Sequence, residues 1–433
     1  MDWTTPVVLM ISLVLLVQSA LSLYLMLYSW EYPERLYSSS APASYLSARL
    51  SFSVLLPARH EEAVIYETIK RVWRAHYPPH LLEVVVVCHA DDTGTIAEAR
   101  RAIRDLDSRR IHLEVFSSPP INKPHGLNVG FQRTSNQIVT IFDAEDDIDP
   151  DIFNMVNTVM IKEGVGIIQA GVQLMNFADH WFVINNCLEY FFWFKSGLHF
   201  FARAGTIPLG GNTVFIRKDL IARVGGWDER CLTEDADIGL RLSVLGEPIR
   251  VIYDAQHVTR EETPESTGSF IRQRTRWHQG FLQILRKGTW RALPHFGQRL
   301  LAFCTFSYPL YQAVVLLLWP VNIMEALWLK ENLLVTMVTF LPLYALLLQF
   351  LATAVGAFLF TKAYCLRFSF FRLVLMTIIF LPFQWLLGIS AVRAVYRELR
   401  GQNNWEKTTH LGAHRQYEPL PPARWKRTSS LSR

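Results

Sequence analysis

The sequence predicts an α/β domain with a doubly wound, mostly parallel sheet, inserted between apolar segments long enough to cross a bilayer. Three observations predict it. Unbroken apolar runs alternate with helical patterns over residues 52–142, and strands without polar alternation are those covered on both faces, as in a parallel sheet. Residues 6–30, PVVLMISLVLLVQSALSLYLMLYSW, carry no charge and exceed the roughly 20 residues that a helical span needs. Three further apolar stretches follow the domain, at about 299–329, 332–360 and 369–396.

The strands come in order. FSVLLP (52–57) leads through the turn ARHEE into the helical pattern AVIYETIKRVW. LLEVVVV (81–87) ends in CHADDTGT and a helix rich in Ala, Arg and Glu. IHLEVF (111–116) precedes a Pro-rich turn and the helix GLNVGFQRT, and QIVTIF (137–142) is the fourth strand. Each ends in groups with chemical potential: Pro57, Arg59 and Glu61; Asp91 and Asp92; Lys123; Asp143 and Glu145. Ligands of open α/β sheets gather at the carboxyl ends of strands, so this edge is expected to hold a nucleotide. No GxGxxG follows the first strand and no GxxxxGK[ST] occurs, which disfavours a dinucleotide fold and a P-loop.

The flanks set the expected organisation. Half of the 433 residues are hydrophobic and 13 are Trp, and concentration of the apolar residues at the two ends explains the excess. Residues 6–30 have no basic n-region and no clear cleavage site, so they read as a retained anchor rather than a signal peptide. Arg35, Arg49 and RVWR follow this span while only Asp2 precedes it, which places residues 31–298 in the cytoplasm by the positive-inside rule. The basic tail from Arg393, with ARWKR near its end, is placed on the same side and requires an even number of intervening crossings. The segment 299–329, with Pro309, Pro320, Glu325 and Lys330, is therefore expected to be interfacial or re-entrant in part. The divisions are 1–30 anchor, 31–265 catalytic domain, 266–298 amphipathic interfacial helices, 299–396 two or three spans, and 397–433 tail. SSSAPAS (38–44) reads as a linker, and the last dozen residues read as disordered. A net charge of +5 suits an anionic membrane surface, not nucleic acid. Five scattered cysteines without CxxC spacing imply neither a disulfide framework nor a zinc site.

The acidic motifs carry the chemistry. FDAEDDIDPD (142–151) follows the fourth strand. Asp149-Pro150 fits the Ncap and N1 of the next helix, and Asp143 and Glu145 stand where the buried strand emerges. Clustered carboxylates are usually compensated by a hard cation such as Mg2+ or Mn2+. CLTEDADIGLRL (231–242) puts Glu234 and Asp235 at the head of an amphipathic helix, with Thr233 as its cap. QRTRW (273–277) lies in the basic amphipathic segment FIRQRTRWHQGFLQILRKGTW, where Gln273, Arg276 and Trp277 can face a site while the helix lies on a membrane.

Taken in order, PARHEE, ADD, NKPHGLN, DAED, TED and QRTRW resemble the motif series of membrane-embedded family 2 glycosyltransferases, the group of cellulose, chitin, hyaluronan and poly-N-acetylglucosamine synthases. The resemblance runs from about residue 50 to 285. It implies a GT-A fold and inverting transfer from a nucleotide sugar, UDP-glucose or UDP-N-acetylglucosamine first among donors and GDP-mannose as a further option. By motif, Asp143 and Glu145 hold the metal. The family usually has Asp at the second position, so Glu145 and Asp146 both stand as its second ligand. Asp235, beside Glu234, is the base. Pro57, Arg59, Glu61 and Asp91 or Asp92 line the nucleotide pocket; Lys123, Gln273 and Arg276 meet the diphosphate; Trp277 and the turn Gly210-Gly211-Asn212 meet the acceptor. NNWEKTTH (403–410) resembles the short closing loops of these enzymes, which would bring Lys407 and Thr408 to the diphosphate. Two products fit: a β-linked polysaccharide elongated and passed through the spans, or a single sugar added to a membrane lipid. A nucleotide-binding transporter or receptor without catalysis is a third reading, opposed by the intact carboxylates.

Overall fold

The computed structural model describes residues 4–31, 40–176, 180–317, 337, 340–366, 369–406 and 412–416. The strands are β1 (Phe52–Ala58), β2 (Leu82–His89), β3 (Ile111–Phe116), β4 (Ile138–Ile141), β5 (Ile167–Ala170), β6 (Val172–Leu174), β7 (Val214–Arg217), β8 (Ile249–Ile252) and β9 (Thr259–Glu261). Seven form one sheet in the order β3-β2-β1-β4-β7-β5-β8, and β6 pairs with β9. The first four strands are parallel, as are β5 and β8, whereas β7 runs antiparallel to both neighbours.

Alternation along the strands explains their unbroken apolar runs. Leu55, Val85, Val87, Val139 and Ile141 enter one core. Their sequence neighbours Val54, Leu56, Val84, Val86 and Ile138 enter the other, on the opposite face. Successive side chains of a strand point to opposite faces, so a sheet covered twice asks for apolar residues at every position.

The helix after the acidic turn starts later than Asp149-Pro150 suggests. It spans Ile152–Glu163, and Asp151 at its N-cap makes no side-chain capping bond. Asp149 instead accepts from the Asp151 N–H at 2.9 Å, an Asx turn that uses the same carboxylate two residues earlier.

Among the described residues three helices are long and apolar enough to cross a membrane: Met10–Trp30, Tyr344–Ala363 and Phe370–Leu399. Helices Phe296–Phe306 and Tyr308–Leu317 meet at 45° and make a fourth if they act as one bent span. Pro309 lies just past the break, and its missing N–H and its ring disfavour a straight continuation. Several polar groups between these helices are paired. Gln18 Nε2 donates to the Cys304 carbonyl at 3.0 Å, Gln349 Nε2 to the Ser19 carbonyl at 3.1 Å, and Ser19 and Tyr311 share a hydroxyl bond. All five cysteines are free. The expected disorder of the last dozen residues, part of the 38–44 linker, and Lys407 and Thr408 lie outside the described residues.

Candidate active site

Four parallel strands bring their carboxyl ends to one edge, where a cavity of about 810 Å³ opens. Pro57, Arg59, Glu61, Lys123, Asp143, Glu145, Gly210, Gly211, Asn212, Glu234, Asp235, Gln273, Arg276 and Trp277 all line it. Asp91 and Asp92 do not. Asp92 is 3% exposed; it caps helix Thr93–Leu106 through the Thr95 N–H and accepts from the His60 N–H. Asp91 braces Arg59 at 3.1 Å and His89 at 2.5 Å. His89 itself reaches the cavity, so the pair shapes the pocket wall from behind.

The acidic turn divides its carboxylates. Asp146 is fully buried and accepts from the Asp143 N–H at 2.8 Å and from Asn212 Nδ2 at 2.8 and 2.9 Å. Burial, then the charges of Glu261 and Asp143, push its pKa well above the usual carboxylate value. Asp143 and Glu145 face the cavity, and Lys123 Nζ lies 2.5 Å from Asp143 Oδ1. Burial works against the Lys123 charge, but Asp143 and Glu234 outweigh it and hold its pKa above the ordinary lysine value. Among the described residues no group of three or more His, Cys, Asp or Glu could hold a metal. Two hard carboxylates opening on a cavity nevertheless suit Mg2+ or Mn2+, which commonly take one or two protein carboxylates and complete the shell with phosphate oxygens. Asn212 is 4% exposed, and its amide also reaches Glu261. Its nitrogen is thus committed to fixing the turn.

Glu234 and Asp235 open the helix Glu234–Val244. Thr233 occupies the N-cap position but makes no side-chain capping bond. Its neighbour across the helix contact is Gly280. A Cβ on Gly280 would stand 2.3 Å from Thr233 Oγ1 and 2.7 Å from its backbone nitrogen. Only glycine lets the helix Thr267–Lys287 pass so near. Gly280→Ala should therefore displace the Glu234/Asp235 turn and cost about 1–3 kcal/mol of stability, read as a lowered unfolding midpoint. An unchanged midpoint together with unchanged turnover would contradict that contact. At Gly211 the approach is made by Asp235 Oδ2, 3.1 Å from where a Cβ would sit, and by Lys123 Nζ, which donates to the Gly211 carbonyl at 3.1 Å.

Burial, then the charge of Asp235, pushes Glu234 up to about 7. Burial raises Asp235 too, opposed by Lys123 and Arg276. Arg276 Nε has no hydrogen-bond partner among the described residues, and its guanidinium lies 4.4 Å from the ring centroid of Trp405, which also lines the cavity. A half-buried cation whose buried Nε is an unused donor, beside three carboxylates, suits a polyanion held by a cation.

Sequence reasoning did not single out several residues here. Arg274 is 5% exposed, bonds Glu189 Oε1 at 2.9 Å, and lies 4.5 Å from the Trp277 ring, fixing that indole. Its only sequence signal is its place inside QRTRW. From the sites of Asp235 and Trp277 the cavity continues between the apolar helices, past Ser22, Leu25, Tyr308, Gln349, Thr353 and Phe383.

Residues 48–280, more than half of the chain, match the family described as "Glycosyltransferase like family 2". The chain belongs to that family. Within it, the chain is 30% identical over 245 residues to "Probable glycosyltransferase YdaM" of Bacillus subtilis (strain 168), covering 54% of this chain and 56% of that protein. It is 25% identical over 233 residues to a beta-monoglucosyldiacylglycerol synthase of Nostoc sp. (53% and 49%). It is 24% identical over 243 residues to a poly-beta-1,6-N-acetyl-D-glucosamine synthase of Staphylococcus epidermidis (56% and 57%). The chain spans about half the length of these curated relatives. The mannosyltransferase PcManGT of Pyrobaculum calidifontis, solved with GDP-Man and Mn2+, shares the fold at TM-score 0.57 and 17% identity, over 91% of this chain and 99% of that one. The family 2 domain thus has the mostly parallel core that the strand pattern predicts and the GT-A-like fold that the motif resemblance implies.

Proposed function

We propose that this protein is an integral membrane glycosyltransferase with a cytoplasmic catalytic domain. On this reading it moves one sugar from a nucleotide-sugar donor to an acceptor presented by the membrane, with inversion at the anomeric carbon. The observation that carries it is the continuity of one cavity from Asp143 and Lys123 through Asp235 to the space between the apolar helices. Among acceptors, a lipid fits best. The membrane end has an apolar wall that includes Leu21, Leu25, Met26, Phe380 and Phe383, with scattered polar groups, and the three or four candidate spans among the described residues are few to enclose a polymer. The glucosyldiacylglycerol synthase among the relatives supports this. The polysaccharide synthase among them and the aromatic cluster of Trp277, Tyr190 and Trp405 beside Arg274 and Arg276 support the second reading, elongation of a β-linked glycan with translocation.

In the proposed reaction Asp235 accepts the proton of the attacking hydroxyl as the sugar leaves the diphosphate. Lys123 and Arg276 stabilise the charge that grows on the departing nucleoside diphosphate, with Gln273 as a further donor. A divalent ion bound by Asp143 and Glu145 would supply Lewis-acid stabilisation of the same oxygens. Trp277, held by Arg274, offers a face to the acceptor sugar or headgroup. Residues 402–406 rest on the Thr267–Lys287 helix through Asn403, Gln402 and Trp405. These contacts support a tail on the same side of the membrane as the catalytic domain, which calls for an even number of crossings between them.

The test is a panel of radiolabelled UDP-glucose, UDP-N-acetylglucosamine and GDP-mannose offered to the protein in nanodiscs containing native lipid. Label in a lipid-extractable band is expected. A high-molecular-weight product would replace the lipid reading by the polymer reading, and hydrolysis or transfer with none of the donors would count against catalysis. The pH profile follows from the acid pair. A proton on Asp235 disables the base, so kcat/KM should fall on an acid limb that lies above the usual carboxylate range, because burial raises Asp235, while Lys123, with its raised pKa, stays cationic. Glu234→Gln removes the neighbouring charge and should move this acid limb to lower pH. A limb that does not move would exclude coupling of the pair.

A further inference from the structure

The C-terminal segment reaches the acidic turn alongside the helix Ile65–Trp73. Gly412 and Ala413 donate their backbone N–H groups to the two oxygens of Glu262, at 3.1 and 2.6 Å, and His414 is fully buried. Arg415 then passes behind the turn. Its Nη1 donates to the Val64 carbonyl at 3.1 Å, and its Nη2 to Thr68 Oγ1 and, at 3.1 Å, to the carbonyl of Glu145. Thr68, buried in the helix Ile65–Trp73, donates in turn to the Ala144 carbonyl at 2.5 Å. Two consecutive carbonyls between and beside Asp143 and Glu145 are therefore held by one guanidinium and one hydroxyl.

We propose that Arg415, acting with Thr68, is a positioning residue that sets the backbone of the acidic turn so that Asp143 and Glu145 can share one divalent cation. Arg415 does not itself line the cavity. Its effect passes through the turn, as outer-shell partners fix the orientation of metal ligands. The opposite side of the turn is fixed independently. Asp147 exchanges backbone bonds with Arg260 at 3.0 and 2.9 Å, and Asn212 holds Asp146. The remaining freedom lies at Ala144 and Glu145, where Thr68 and Arg415 act. The charge also fits. The turn carries five carboxylates between Asp143 and Asp149, and Arg415 with Arg71, which pairs with Asp147, places cations behind it while the cavity side stays open to a metal. The C-terminal segment is in this way part of the donor site.

The inference rests on the proposed metal site at Asp143 and Glu145, and the experiment separates the two. Mn2+ binding to the full chain in nanodiscs is followed by EPR, with and without UDP, for the wild type, Asp143→Asn, Arg415→Ala, Arg415→Lys and Thr68→Val. Arg415→Ala is expected to weaken Mn2+ binding about tenfold, the lower end of what loss of an outer-shell partner does, with metal-free UDP binding unchanged. Arg415→Lys should recover part of the loss, because an ammonium still donates to a carbonyl. Thr68→Val, which keeps the buried shape, should act in the same direction and carries the test if Arg415→Ala fails to fold. Mn2+ affinity equal to wild type in folded Arg415→Ala and in Thr68→Val, while Asp143→Asn loses it, overturns this inference alone. Mn2+ binding that is absent in the wild type, or untouched by Asp143→Asn, overturns the metal site and this inference with it.

Discussion

Asp235→Asn should lower sugar transfer by about 10²- to 10⁴-fold, the range of a lost general base, equivalent to about 3–5 kcal/mol of barrier. The substitution keeps size and shape, and the Ala236 N–H that now donates to Asp235 Oδ1 at 2.8 Å still finds an oxygen. What is lost is the capacity to take a proton. Burial of the whole pair raises the basicity of Asp235, which suits a group that must accept a proton near neutral pH. Nucleotide binding, measured by calorimetry with UDP, should be unchanged, because Lys123, Arg276 and the acidic turn are untouched. Turnover within a fewfold of wild type, with the donor identified by the panel, would remove Asp235 from the role and leave Glu234 as the group to examine.

Arg276→Ala should reduce kcat by roughly 10²- to 10³-fold, the scale of removing one preorganised donor to developing charge. The side chain faces Glu234, Asp235 and Asp143, whose charges oppose the depression of its pKa by burial. Deleting it leaves three carboxylates with Lys123 as the remaining cation described among them. Arg276→Lys should restore only part of the rate, since an ammonium lacks the planar fork and cannot reproduce the guanidinium contact with Trp405. A rise in KM at constant kcat would instead show that Arg276 binds ground state and transition state alike.

Local chemistry accounts for what was legible before the structure. The parallel strands Phe52–Ala58, Leu82–His89, Ile111–Phe116 and Ile138–Ile141 announce themselves because a sheet covered on both faces needs apolar side chains at consecutive positions. The motif residues could be found for a related reason: chemistry concentrates charge, and a carboxylate pair after a buried strand is conspicuous. Strands β5 to β9 carry three or four residues each. Their pairing joins segments far apart in the chain, so short-range periodicity does not mark them.

The division of labour within each acidic motif was decided by tertiary contacts. Asp143 and Asp146 are the same residue type three positions apart, yet one faces the cavity and the other is locked by Asn212 from a distant loop. Asp92, equal in sequence to Asp91, is spent on a helix cap. The role of Arg415 depends on a carbonyl 270 residues away. A sequence states which groups are available and which local conformations they favour. Which of those groups faces water, metal or another side chain is set by packing, because the cost of burying a charge or an unpaired donor is fixed only once its neighbours are in place.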